Sequence, residues 1–167
     1  MRHYKIKYPD YINEVSEVIG RKRREASTEV RMLNKRYQCE TLEKEIRIDV
    51  MGVRGEMIAS HFFFMNGIEH KLSKLVEEEP IPGPDIVAKG KDIDVKSVPI
   101  YGRLLTVPVY AHNKKKMDYY MFVKPLENNL AEIWLIEYDQ VDSWPEQILG
   151  GGHVKFKPIK EVNNAKR

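Results

Sequence analysis

Asp85 and Asp94 stand with eight residues between them, and Lys96 follows two positions after the second aspartate. Two carboxylates and one ammonium at this spacing are the minimum set for holding a divalent metal against a phosphodiester. Carboxylate and carbonyl oxygens are hard donors that suit magnesium, with manganese as its substitute. Such an ion neutralises phosphate oxygens and lowers the pKa of the water that it binds. A lysine beside it helps to position or deprotonate that water and offsets charge building in the transition state. The carbonyl of Val95, between Asp94 and Lys96, offers a further oxygen. Glu56, upstream, supplies a third carboxylate for a metal-bound water or a second ion.

These side chains need elements to bring them together. Asp85-Ile86-Val87-Ala88 is short and β-prone, and Lys89-Gly90-Lys91 reads as a turn. Ile93, Val95 and Val98 then alternate with Asp92, Asp94 and Lys96, the pattern of a half-buried strand. Alternation puts Asp94 and Lys96 on one face and turns Val95 into the core. Residues 42–66 read as a helix that becomes apolar from Glu56 onward and stops at Asn66-Gly67. Gly52 and Gly55 predict either a break in that helix or a place where another backbone comes close. Half of the motif recurs elsewhere: Glu69-His70-Lys71 also spells acid-x-Lys, in a helical or loop context, and Pro9-Asp10 repeats the Pro-Asp pair. The plain alternative for residues 85–96 is a polar hairpin with a surface ion pair between Asp94 and Lys96.

Residues 1–40 read as a helical arm starting near Pro9-Asp10, interrupted at Gly20 and the Arg21–Arg24 basic cluster, and resumed with Val30, Leu33 and Tyr37 on one side. Residues 41–167 form the main domain. Beyond the hairpin, strands are expected at 104–110, with Pro108 marking an edge or bulge, at 119–123, 133–138 and 153–159; a short helix is expected at 139–149. Helices followed by a cluster of strands imply an α/β or α+β fold with a mixed sheet.

With 42% hydrophobic and 32% charged residues, the chain can bury a core and is not compositionally disordered. The net charge of only +3 does not announce a nucleic-acid partner, although the clusters Arg21–Arg24 and Lys114–Lys116 are suited to phosphates. A single cysteine, Cys39, excludes an internal disulfide. The histidines His3, His61, His70, His112 and His153 make no zinc pair. No apolar run is long enough to span a bilayer and the N-terminus lacks a signal-peptide core, so a cytoplasmic setting is expected, in a cell or in an infected host. Tyr101, Arg103, His112, Lys114, Lys115 and Lys116 follow the acidic strand and are the candidates for contacts to nucleic acid. Tyr119, Tyr120, Phe122 and Trp134 are expected in the core.

Pro84-Asp85 followed by Asp94-Val95-Lys96 resembles the PD-(D/E)XK nuclease superfamily, in particular its smaller phage and resolvase-like members. Gly52-Val53-Arg54-Gly55-Glu56, opening a helix that ends in phenylalanines, looks like the helix carrying that family's upstream glutamate. The match spans about residues 50–138. The resemblance implies a restriction-endonuclease-like mixed sheet flanked by helices. Asp85 and Asp94 would be metal ligands, Lys96 the catalytic lysine and Glu56 the auxiliary acid. It implies a magnesium-dependent hydrolase, an endonuclease on DNA with RNA still open, and the family habit adds a homodimer. A nucleic-acid-binding or assembly protein without turnover is the alternative on the same fold. One departure stands: the family's helix between its third and fourth strands has no room at Leu126–Asn129 if those strands are 119–123 and 133–138.

Overall fold

The computed structural model describes residues 1–32, 42–73, 75, 83–114, 116–149 and 152–164. Leu33, Tyr37, Cys39, Pro80–Pro82, Lys115 and Gly150-Gly151 lie outside the described residues, and so does the end of the expected arm, residues 33–40. The elements in order are β1 (Arg2–Lys7), α1 (Tyr11–Met32), α2 (Leu42–Met65), β2 (His70–Leu72), β3 (Ile86–Ala88), β4 (Lys91–Ser97) and β5 (Leu104–Pro108), then α3 (Val109–Lys114), β6 (Tyr119–Pro125), β7 (Leu130–Glu137), α4 (Tyr138–Asp142), β8 (Glu146–Leu149), β9 (Gly152–Pro158) and α5 (Ile159–Asn164). The fold is α+β with a mixed sheet flanked by helices.

Six strands form one sheet in the order β1-β7-β6-β4-β3-β2, and β5-β9-β8 form a second. In the large sheet β4 and β6 run parallel, and the other pairs are antiparallel. Lys89 and Gly90 both adopt positive φ, 50° and 71°, which closes the two-residue β3–β4 hairpin with the twist that paired strands favour. A parallel pair cannot be joined by a hairpin. Residues 98–118 make the crossover, and they carry β5 and α3. A short helix, α3, thus lies before β6, and the 3-10 turn Glu127–Asn129 links β6 to β7.

β6 and β7 are apolar on both faces, as strands covered on both sides require, whereas β4 is apolar on one face only. Met121 and Val123 of β6, Ile133 of β7, and Ile93 and Val95 of β4 pack with Ile58, Phe62 and Phe63 of α2 in one core. Tyr120, Phe122, Trp134 and Ile136 point the other way, into a second core with Leu105, Val107, Trp144 and Val162. The expected core placement of Tyr120, Phe122 and Trp134 holds, and Tyr119 packs at the margin of the first core.

Four expectations need correction. The N-terminal segment is not simply a helical arm. Its first residues form β1, which pairs with β7 from Arg2↔Leu135 to Lys7↔Leu130, and Tyr8 and Ile12 are buried in the first core. Charged Arg2, Lys5 and Lys7 on the exposed positions suit a sheet edge and obscured the strand. Second, α1 and α2 are each continuous through their glycines. The contacts Ser16–Arg54, Gly20–Val50 and Arg24–Glu45 run in opposite order along the two helices, so they pack antiparallel. A Cβ at Gly20 would sit 2.5 Å from Val50 Cα, so this glycine serves a close helix crossing. Third, the stretch 139–149 is helical only to Asp142, and β8 follows Pro145. Fourth, Glu69-His70-Lys71 leads into β2, an edge strand.

No described helix is long and apolar enough to cross a membrane.

Candidate active site

The site is built where β3 and β4 part. The register pairs Ile86 with Ile93, yet the Asp85 amide also donates to Ile93 O at 3.0 Å. Two residues on the β3 side thus address one on β4, a bulge that breaks simple alternation at Asp85. Beyond it the ladder has run out, because Pro84 has no N–H to give. The Val95 amide instead donates to Asp85 Oδ2 at 2.7 Å. The strand end is therefore closed by the aspartate itself.

Ile93 and Val95 pack toward α2, so Asp94 and Lys96 occupy the other face of β4 together, as their spacing implied. Lys96 Nζ stands 2.5 Å from Asp94 Oδ2, an ion pair without hydrogen-bond alignment, and that oxygen is otherwise shut off from solvent. Glu56 reaches the cluster from α2. Its position is set by Gly55, where an added Cβ would land on Ser97 Oγ, and by the bond from Ser97 Oγ to Met51 O at 2.8 Å. These contacts draw α2 against the end of β4; the close approach expected of Gly55 is what the structure contains.

Asp85 feels all of these groups. Its carboxyl is pushed up from 3.8 to about 7, first by burial, then by the charges of Asp94 and Glu56, with the Val95 amide and Lys96 pulling the other way. Two negative neighbours around a desolvated carboxyl are an imbalance that a divalent cation would relieve.

Sequence reasoning missed the partner of Glu56. Arg23 Nη1 and Nη2 donate to Glu56 Oε1 and Oε2 at 2.9 and 2.8 Å, a bidentate fork, and Arg23 Nε donates to Leu75 O at 2.7 Å. Next to it, Arg24 is buried and pairs with Glu45 at 3.0 Å and Asp49 at 2.7 Å. Half of the basic cluster thus faces inward, while Arg21 and Lys22 are exposed. A signal existed: Glu45, Asp49 and Glu56 fall on one stripe of α2 at helical spacing, an acidic face awaiting cations.

Behind Asp94 lies a second unforeseen set. Tyr120, its register partner on β6, has its hydroxyl pKa raised by burial and then by Asp94. That hydroxyl lies 3.0 Å from His112 Nδ1, and His112 Nε2 lies 2.7 Å from Asp142 Oδ1. His112 is only 1% exposed, which removes it from the candidates for phosphate contact. Tyr101 is 85% exposed, Arg103 and Lys114 are exposed on the crossover, and Lys116 is exposed 3.7 Å from Asp139. These four are open to a partner; Lys115 lies outside the described residues.

The donor set fits an ion held by few protein ligands. Asp85 and Asp94 are adjacent, hard and over-charged, and the Val95 backbone passes between them and Lys96. Glu56 fits less well, because both of its oxygens are engaged by Arg23. Among the described residues, no three of His, Cys, Asp and Glu stand close enough to hold one ion. An ion here would rest on two aspartates, backbone and water, a sparse shell of the kind magnesium accepts.

No family model matches the sequence, and none of the curated proteins matches it either.

Proposed function

We propose that this protein is a magnesium-dependent nuclease of the PD-(D/E)XK type, an endonuclease acting on DNA. The observation that carries the reading is the half-buried Asp85, bonded by the Val95 amide and crowded by Asp94 and Glu56, which push its carboxyl up to about 7. Strain of that kind between acids is typical of sites that work on a charge supplied from outside. A short helix, α3, on the crossover before β6 supports the reading.

Asp85 and Asp94, with the Val95 carbonyl, would hold the magnesium ion, which supplies phosphate neutralisation and a more acidic water when bound. Lys96, fixed by Asp94, would position the attacking water and meet with its ammonium the negative charge developing on the phosphate. Asp94 keeps the lysine ammonium at the strand end. Glu56, held by Arg23, adds negative potential from the α2 side. The exposed Tyr101, Arg103, Lys114 and Lys116 would contact the nucleic-acid backbone in this reading, and a homodimer would set two such sites on two strands.

The alternative is a nucleic-acid-binding or assembly protein that does not turn over. The Arg23–Glu56 fork favours it, since it engages both oxygens of the auxiliary acid. One assay separates the two: incubation with plasmid, linear and branched DNA and with RNA, in magnesium or in EDTA. Cleavage in magnesium alone, lost in Asp94→Ala and in Lys96→Ala with both variants still folded, is the expected result. Cleavage surviving in both variants would sink the site assignment, and binding without any cleavage would select the alternative.

A further inference from the structure

Away from the carboxylates, a cleft of about 720 Å³ opens between the start of α1, the middle of α2 and the ends of β4 and β6. It lies outside the carboxyl ends of two parallel strands, the place where open α/β sheets receive ligands. Its volume falls in the range of small-molecule sites. Val98, Pro99, Ile100 and Leu126 give it an apolar wall, and Arg47 and Arg54 enter from α2.

The charges in this cleft do not cancel. Glu17 is bonded to Arg21 at 3.1 Å, and Arg47 is paired with Glu43 at 3.7 Å. Arg54 is half-buried, and its one hydrogen bond is from Nε to Ser16 Oγ at 3.3 Å; no described carboxylate pairs with it. Its two terminal nitrogens thus leave a planar fork of donors without an acid, the geometry that recognises phosphate. Across the floor Asn13 Nδ2 donates to Asn129 Oδ1 at 2.8 Å, beside a turn in which Asn128 and Asn129 both hold positive φ, 56° and 55°. A polar amide rim, an apolar wall and one unmatched guanidinium suit a single ligand that has a flat body and an anionic end.

We infer that this cleft binds a nucleoside monophosphate, with the phosphate on Arg54 and the base against Pro99, Ile100 and Leu126. The inference stands apart from the nuclease reading, since the cleft shares no residue with the carboxylate cluster. The ligand chemistry is common to a free nucleotide and to a phosphorylated strand end, so both enter the test.

The experiment is a titration of the full chain in EDTA with deoxyadenosine 5′-monophosphate, deoxyadenosine, inorganic phosphate, and a short oligonucleotide with or without a 5′-phosphate, followed by calorimetry. Saturable binding of the nucleotide is expected, with deoxyadenosine and phosphate each weaker by about tenfold or more. Arg54→Met and Ile100→Asp should each weaken the nucleotide by about tenfold or more. Ile100 lies on an exposed turn, so its variant decides the matter if Arg54→Met fails to fold. Competition by the phosphorylated oligonucleotide alone would name a strand end as the source, and its failure to compete would name a free nucleotide. Absence of saturable nucleotide binding at millimolar concentration, or wild-type affinity in both variants, overturns the inference. Because no metal is present, a chain that binds nucleotide but never cuts would refute only the nuclease reading, and a chain that cuts but binds no nucleotide would refute only this one.

Discussion

At the scale of single residues, the crowding of Asp85 makes its contribution to the stability of the metal-free protein depend on pH. Its folded carboxyl titrates near 7 against an ordinary value of 3.8. Between those values the folded state holds a proton that the unfolded state has released, so stability falls as pH rises through that window. Below it the carboxyl is neutral in both states and the penalty is absent; above it the penalty is complete. Asp85→Asn keeps an oxygen for the Val95 amide but carries no charge. It is expected to melt above the wild type at pH 8 in EDTA, by no more than about 4 kcal/mol, with the gap closing toward pH 4. Adding magnesium at pH 8 should raise the melting temperature of the wild type and leave that of Asp85→Asn nearly unmoved. Thermal melts across pH read both effects, and an Asp85→Asn variant less stable than wild type at pH 8 would contradict them.

At the scale of elements, the α1–α2 pair is the frame that fixes Glu56. Arg23→Ala leaves that carboxylate partly buried without its fork and is expected to cost about 1–3 kcal/mol, with Arg23→Lys in between, by chemical denaturation. Gly55→Ala drives a methyl into Ser97 and should cost about 1–3 kcal/mol. Ser97→Ala in the same chain removes the clashing hydroxyl, so the double variant should be more stable than the sum of the two single changes implies. These elements also mark what the sequence could disclose. The alternation of Ile93 and Val95 with Asp94 and Lys96 was readable because it is local, and so was the hairpin turn at Lys89-Gly90. The Arg23–Glu56 fork joins residues 33 apart and depends on how two helices cross, which no local period encodes. The bulge at Asp85 was equally hidden, since one extra residue leaves no mark on composition. β8 was taken for helix because Asp139–Leu149 has no strong period of either kind, and its strand pairing is decided by β9.

At the scale of the whole molecule, the first residues are part of the sheet. Removing residues 1–9 would expose the β7 edge and withdraw Tyr8 from the first core. Such a truncation is expected to lower the melting temperature sharply or to yield insoluble protein. A chain in which those residues were a free arm would tolerate the cut, so soluble expression with an unchanged melt would contradict the strand.

The pairing of β5 with β9 has a bearing on how the protein is made. Asp85, Asp94 and Lys96 leave the ribosome well before β9, yet β6 reaches its place beside β4 through a crossover whose own strand waits for that late partner. The N-terminal strand likewise waits for β7. A nascent chain therefore carries β1 unpaired until β7 has emerged and β5 unpaired until β9 has emerged, and translation interrupted before β9 releases fragments with the acidic residues but without the second sheet.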